Sequence, residues 1–175
     1  MNNLTALSLS IGALSGVATF LAVGPTAGLF LIWALTIAWA AYFAFGATKE
    51  ALKNVIVCGV FGVAMAWIAA VLITTIPAGS FAFPVMASVA VAVSVVVLCL
   101  AAHFPQFATI PASVLGYSAT FAYLLEGSKL TQDVLLSAHW GNPLLIVSFS
   151  LALGAYFGEG SVLLSNKIQE LANKK

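Results

Sequence analysis

The sequence predicts an all-α membrane protein, a bundle of about six transmembrane helices. Hydrophobic residues are 62% of the chain and charged residues 6%, against about 45–50% and about 25% in a soluble domain. So much apolar surface fits a fold surrounded by lipid rather than water. The placement of charge agrees: none falls between Met1 and Thr48, or between Asn54 and Leu125. The second gap has room for three spans of about 20 residues each.

Six apolar stretches follow one another. The first covers residues 4–23 and ends at Gly24-Pro25; the second covers residues 26–45 and ends at Gly46. The third, residues 54–76, stops at Pro77-Ala78-Gly79, and the fourth, residues 81–102, stops before Pro105. The fifth covers residues 107–125 and the sixth residues 142–164. In lipid each must be helical, because every backbone N–H and C=O has to be satisfied within the segment. Met1–Asn3 carries no Lys or Arg and the run behind it can span, so a retained first helix is expected rather than a signal peptide. Residues 1–164 read as one transmembrane domain and residues 165–175 as a polar cytoplasmic tail.

The connections are short except residues 126–141. There Leu130, Val134 and Leu135 share a helical face and Trp140 suits a headgroup zone, so an interfacial helix is expected. Lysine asymmetry orients the chain. With six spans, Lys49, Lys53, Lys167, Lys174 and Lys175 lie on one side and Lys129 alone on the other. Both termini should therefore be cytoplasmic.

The two halves of the chain resemble one another, as repeats over residues 1–77 and 81–164. Trp39, Phe43 and Ala44 match Tyr117, Phe121 and Ala122; the run Gly46–Lys49 is followed at a similar place by Gly127-Ser128-Lys129; Gly59 and Gly62 match Gly154 and Gly158. Units of three spans would insert in opposite orientations, the inverted arrangement common in transporters. The plainer explanation is that small and aromatic residues recur in any tight membrane bundle.

Several residues are candidates for function, each with a structural alternative. Ser8, Gly12 and Gly16, and likewise Ser150, Gly154 and Gly158, are four apart and line one helix face with small residues. That suits helix packing, or an oligomer interface. The run Pro105–Pro111 is expected to be partly unwound or kinked, which would free Gln106. Glu159 and His103 are the ionisable groups nearest membrane depth, where charge is costly; Glu159 could instead pair with Lys49 or Lys53. Trp39, Tyr42, Tyr117 and Phe121 are aromatic residues set deep in helices, either lining a solute path or packing against neighbours.

Other classes are disfavoured. There is no arginine and the net charge is +1, which argues against nucleic-acid binding. Cys58 and Cys99 sit within apolar runs and read as small hydrophobes. No spacing suggests a metal, haem or nucleotide motif, so no cofactor is expected. An enzyme is disfavoured, since His103 with Glu159 is the one candidate catalytic pair.

The run Gly28–Trp33, Ala38–Gly46, Asn54, Gly59–Val63 and Trp67, followed by Phe107, Ile110-Pro111, Gly116 and Phe121-Ala122, resembles small bacterial inner-membrane proteins of the YcdZ type. The resemblance covers the first through the sixth stretch. It implies an inner-membrane location and a similar span number, and it supplies no activity. The expectation is a channel or transporter for a small neutral or weakly polar solute, with Trp39, Tyr42, Tyr117 and Phe121 on the path and Gln106 and Glu159 at its inner mouth. Its partners would be the bilayer, the solute and, in a homo-oligomer, further copies of itself. The alternative is a scaffold or accessory subunit without flux of its own.

Overall fold

A computed structural model describes residues 1–76, 79 and 82–174. Among them are seven α-helices: α1 Asn3–Val23, α2 Ile32–Ala44, α3 Lys49–Thr75, α4 Phe83–Leu100, α5 Ile110–Leu125, α6 Gln132–Leu135 and α7 Pro143–Asn173. No strand occurs among the described residues. The turn expected at Pro77-Ala78 and the start of the fourth stretch at Phe81 lie outside them, as does Lys175. Four helices are long and apolar enough to cross a membrane: α1, α3, α4 with the 3-10 turn after it, and α7. Valine-rich α4 would favour a strand in a half-buried soluble sheet. Lipid around it leaves the helix as the conformation that pairs its whole backbone.

The other two apolar helices are short. α2 has 13 residues and α5 has 16, so they rise about 20 and 24 Å, against a hydrocarbon thickness of about 30 Å. Both begin later than their apolar stretches suggest. Residues 24–31 are turns ending in an extended Leu31; Gly28 has φ +82° and Pro25 lacks an N–H, so this segment does not take up the helix. Before α5 lie two 3-10 turns, Ala101–His103 and Pro105–Phe107. The unwinding expected around Pro105 is thus present, and Pro111 sits in the first turn of α5, where its missing N–H costs nothing.

The helix expected in the long connection is a single turn, Gln132–Leu135, capped by the Thr131 hydroxyl. Leu135 is fully buried and Val134 and Leu130 pack on the core, so its apolar face turns toward the bundle. At the other end of the chain α7 runs 31 residues, about 46 Å. Its last turns carry Glu170, bridged to Lys174 at 2.8 Å and Lys167 at 3.0 Å. Those ammonium groups hold the exposed Glu170 carboxyl below its ordinary value.

Pairs of contacts fix the directions. α1 is antiparallel to α7, since Ser10 Oγ donates to Ser161 O at 2.7 Å while Gln169 reaches Asn3 and the Met1 amine reaches Asn173. α2 runs parallel to α7: Leu31 N donates to Ser150 Oγ at 2.9 Å, Leu35 meets Gly154 and Tyr42 meets Gly158. α5 runs parallel to α3, with Ala112 and Gly116 at Gly59, and Ser113 and Tyr117 at Gly62. The helices therefore form two groups, α1, α2 and α7 in one and α3, α4 and α5 in the other, with α3 against α7 between them. Both termini lie at one end with Lys49 and Lys53; Lys129 lies at the other.

The closest approaches use glycine. A Cβ on Gly154 would overlap the Leu35 carbonyl, and one on Gly62 would overlap the Ser113 carbonyl. We expect Gly154→Ala and Gly62→Ala each to lower stability by about 1–3 kcal/mol or more, read as a depressed unfolding midpoint in detergent. Gly12→Ala, with nothing within 4 Å of its Cβ, should leave the midpoint unchanged. Equal midpoints for all three would contradict this packing.

Candidate functional site

The place where the two groups meet is the candidate site. Ala38 and Leu151 from one group face Val55, Gly59, Ala112 and Gly116 from the other around a void of about 10 Å³. That is the room of at most one water, and these side chains offer it no hydrogen bond. The lining is apolar. No charged residue lines it.

The aromatic candidates do not converge on this void. Trp39 sits in the first group with Ala18, Phe30 and Leu35, its ring 5.5 Å from Phe157. Its Nε1 has no hydrogen-bond partner among the described residues, and it borders a surface groove of about 240 Å³ shared with Ile11, Ser15 and Thr36. Tyr117 sits in the second group with Met65 and Leu98. Its hydroxyl is 2.8 Å from Ser94 Oγ, and its ring is 5.2 Å from that of Phe121. Tyr42 is buried at the core between the groups, against Gly158 and 5.5 Å from Phe43.

The polar candidates lie at the lysine-rich end. Gln106 is exposed in its 3-10 turn, and its backbone carbonyl accepts from Cys58 Sγ at 3.5 Å. Glu159 is half-buried beside Gly158. The pairing considered with Lys49 or Lys53 is absent: among the described residues, neither comes within 4 Å of it. His103 is exposed, its ring Nδ1 2.8 Å from Leu100 O, and no hydrogen bond joins it to Glu159. No group of three metal-ligating side chains occurs among the described residues. Of the small-residue stripes, Ser150, Gly154 and Gly158 pack on α2, while Gly12 and Gly16 have no neighbour within 4 Å of a Cβ.

Comparison with known proteins adds the family. Residues 8–166 match the family described as Protein of unknown function (DUF1097). The chain belongs to this family. The match carries the DUF1097 description and not the YcdZ name, and it attaches no activity. No curated protein and no solved structure matches the chain.

In this DUF1097 chain the polar groups that sequence reasoning passed over are at the end away from the lysines. Trp67 Nε1 donates to Leu135 O at 2.8 Å, and Asn142 Nδ2 donates to the same oxygen at 3.0 Å. Asn142 also caps α7 through Leu144 N. The Asn-Pro pair before a long apolar run was the signal for that cap. Ser94, the partner of Tyr117, had no signal, because a lone serine in a valine-rich helix ordinarily bonds its own backbone. We expect Ser94→Ala and Tyr117→Phe to be coupled by about 0.6 and at most about 1.7 kcal/mol, the range for hydrogen bonds between membrane helices. A double-mutant cycle on unfolding in detergent measures this. Strict additivity would remove the bond from the account.

Proposed function

We propose that the chain is a bacterial inner-membrane protein, with cytoplasmic termini, that conducts or carries a small neutral or weakly polar solute between two inverted three-helix repeats. The observation behind this is a set of matched contacts. Leu35 on Gly154 matches Ser113 on Gly62, a register that replaces the sequence pairing of Gly59 and Gly62 with Gly154 and Gly158. Ser150 accepts from Leu31 N ahead of α2, and Cys58, at the corresponding place on α3, donates to Gln106 O ahead of α5. The α2–α5 pairs keep one constant spacing in sequence and the α3–α7 pairs another. Trp39 with Phe43 and Phe157 then corresponds to Tyr117 with Phe121 and Met65. The helix ends agree as well: Gly46 and Ala47 both have positive φ, and so do Gly127 and Ser128.

Function follows from the short helices. α2 and α5 start inside the span, after irregular backbone, on opposite sides of the bundle. Broken helices of this kind, related by an inverted repeat, form solute sites at the repeat interface in transporters. The void lies on that interface, and its residues correspond in pairs, Ala38 with Gly116 and Gly59 with Leu151. The absence of charge from its lining favours a neutral solute and disfavours tight ion coupling.

Reconstituted protein should give solute-dependent swelling or uptake for at least one member of a panel of small amides, polyols and weak acids. Silence across the panel would remove the transport reading. The open Gly12 and Gly16 face of α1 favours the second reading, a non-transporting scaffold. A stoichiometric foreign partner recovered in mild detergent, together with that silence, would establish it.

Orientation has its own test. In a background lacking Cys58 and Cys99, an impermeant maleimide added to spheroplasts should label Lys129→Cys and spare Lys174→Cys. The reverse pattern would place the termini outside.

A further inference from the structure

The two helix groups are joined covalently at two places among the described residues. One is residues 45–48, between α2 and α3. The other is residues 126–142, between α5 and α7. They lie at opposite ends of the bundle and begin alike, with a glycine and then a non-glycine residue at positive φ. The first closes at once: Ala47 N bonds Tyr42 O, and the Thr48 hydroxyl caps Ala51. The second goes on through residues 129–141 as a strap.

That strap is held from both groups. The Leu135 carbonyl takes one N–H from Trp67 of the second group and one from Asn142 at the head of α7 in the first. Gln132 Nε2 donates to Thr74 O at 2.9 Å, and Tyr123 Oη to Gly141 O at 2.8 Å. Trp140 Nε1 donates to Leu29 O at 2.8 Å. Leu135 itself is fully buried in the core between the groups. The lysine-rich end has only the short turn in the corresponding position.

Resting on the transport reading for its purpose, we propose that residues 129–141 are a latch. They bolt the two groups together at the end away from the lysines. When they release, the groups part at that end and pivot about the Gly46-Ala47 turn. A short turn with both residues in the left-handed region fixes direction closely while leaving the bodies on either side free to tilt. The strap is instead anchored by side-chain bonds that break singly, without unwinding any helix of the bundle.

The test uses two buried valines that correspond in the two halves. Val147 lies on α7 toward the strap and Val55 on α3 toward the lysines; both belong to the core between the groups. In a background of Cys58→Ala and Cys99→Ala, Val147→Cys and Val55→Cys report opening at each end. Purified full-length protein in nanodiscs is treated with a soluble maleimide, and labelling rates are compared. Tyr123→Phe deletes one anchor and keeps the ring; Trp67→Phe deletes another and leaves a smaller aromatic ring in place of the indole. Each should raise labelling of Val147→Cys about fivefold, as the loss of one hydrogen bond shifts the open population, with Val55→Cys unchanged. A rise at both reporters would mean general loosening. No rise at Val147→Cys, or a rise at Val55→Cys alone, would mean that the strap is not a latch; any of these overturns the proposal. Labelling requires no transported solute. A failure here therefore leaves the flux result standing, and a silent flux assay leaves this one readable.

Discussion

Three carbonyl groups resting on three glycines hold the arrangement together: Ser113 on Gly62, Gly59 on Gly116 and Leu35 on Gly154. In lipid no hydrophobic gain drives one apolar helix onto another, so association depends on close packing and on bonds between helices. Gly62 and Gly154 let the carbonyls of Ser113 and Leu35 come closer than any side chain would allow. α5 is thereby set against α3, and α2 against α7. With Gly116 on the Gly59 carbonyl, these contacts fix the depth, direction and rotation of the short helices, and the peripheral helices α1 and α4 pack around the result.

Fixing short helices inside a bilayer creates a second demand. The backbone leading into α2 and α5 is irregular, and lipid cannot satisfy it. Neighbouring side chains meet part of the need. Ser150 accepts the Leu31 N–H while donating to Ile146 O at 2.6 Å, and Cys58 donates to the Gln106 carbonyl. Ser150 sits one turn before Gly154, and Cys58 sits one turn before Gly62 and next to Gly59, the glycines that seat the same short helix. One stretch of α7 and one of α3 therefore do two jobs, close packing and backbone satisfaction. Small and weakly polar residues at Cys58, Gly59 and Gly62, and at Ser150 and Gly154, serve these jobs better than larger apolar ones would.

The sequence was legible wherever the bilayer alone dictates structure. Composition and the two long uncharged runs gave the helical membrane class, and Gly46 and Pro105 marked real interruptions. It was less legible where tertiary contact overrides composition. Residues 26–31 are apolar enough for a helix, yet Gly28 and the bond from Leu31 to Ser150 keep them out of one. Leu130, Val134 and Leu135 have the spacing of a helix, but only a single turn forms, and a buried Leu135 whose carbonyl is claimed by two side chains turns it toward the bundle. The candidate site was legible only in part. Depth in a helix singled out Trp39 and Tyr117, but each faces its own peripheral helix, and the residues around the void are alanines, glycines and aliphatics that no motif distinguishes.

The difference between the two crossovers also has an electrostatic side. The lysine-rich end carries Lys49, Lys53, Lys167 and Lys174, and its well-paired carboxylate, Glu170, is far out along α7. Glu50 lies there too, and exposed charges of either sign interact weakly and are screened within about 8–10 Å, so they add little to closing that end. Directional bonds can close an end where uncharged groups meet at the edge of the hydrocarbon, since water there competes for them less than in bulk solvent. The strap supplies such bonds from Trp67, Tyr123, Gln132, Trp140 and Asn142. A chain with almost no charge to spend inside the membrane can still make its two ends unequal: one is joined by a turn of four residues, the other by a row of neutral donors on backbone carbonyls.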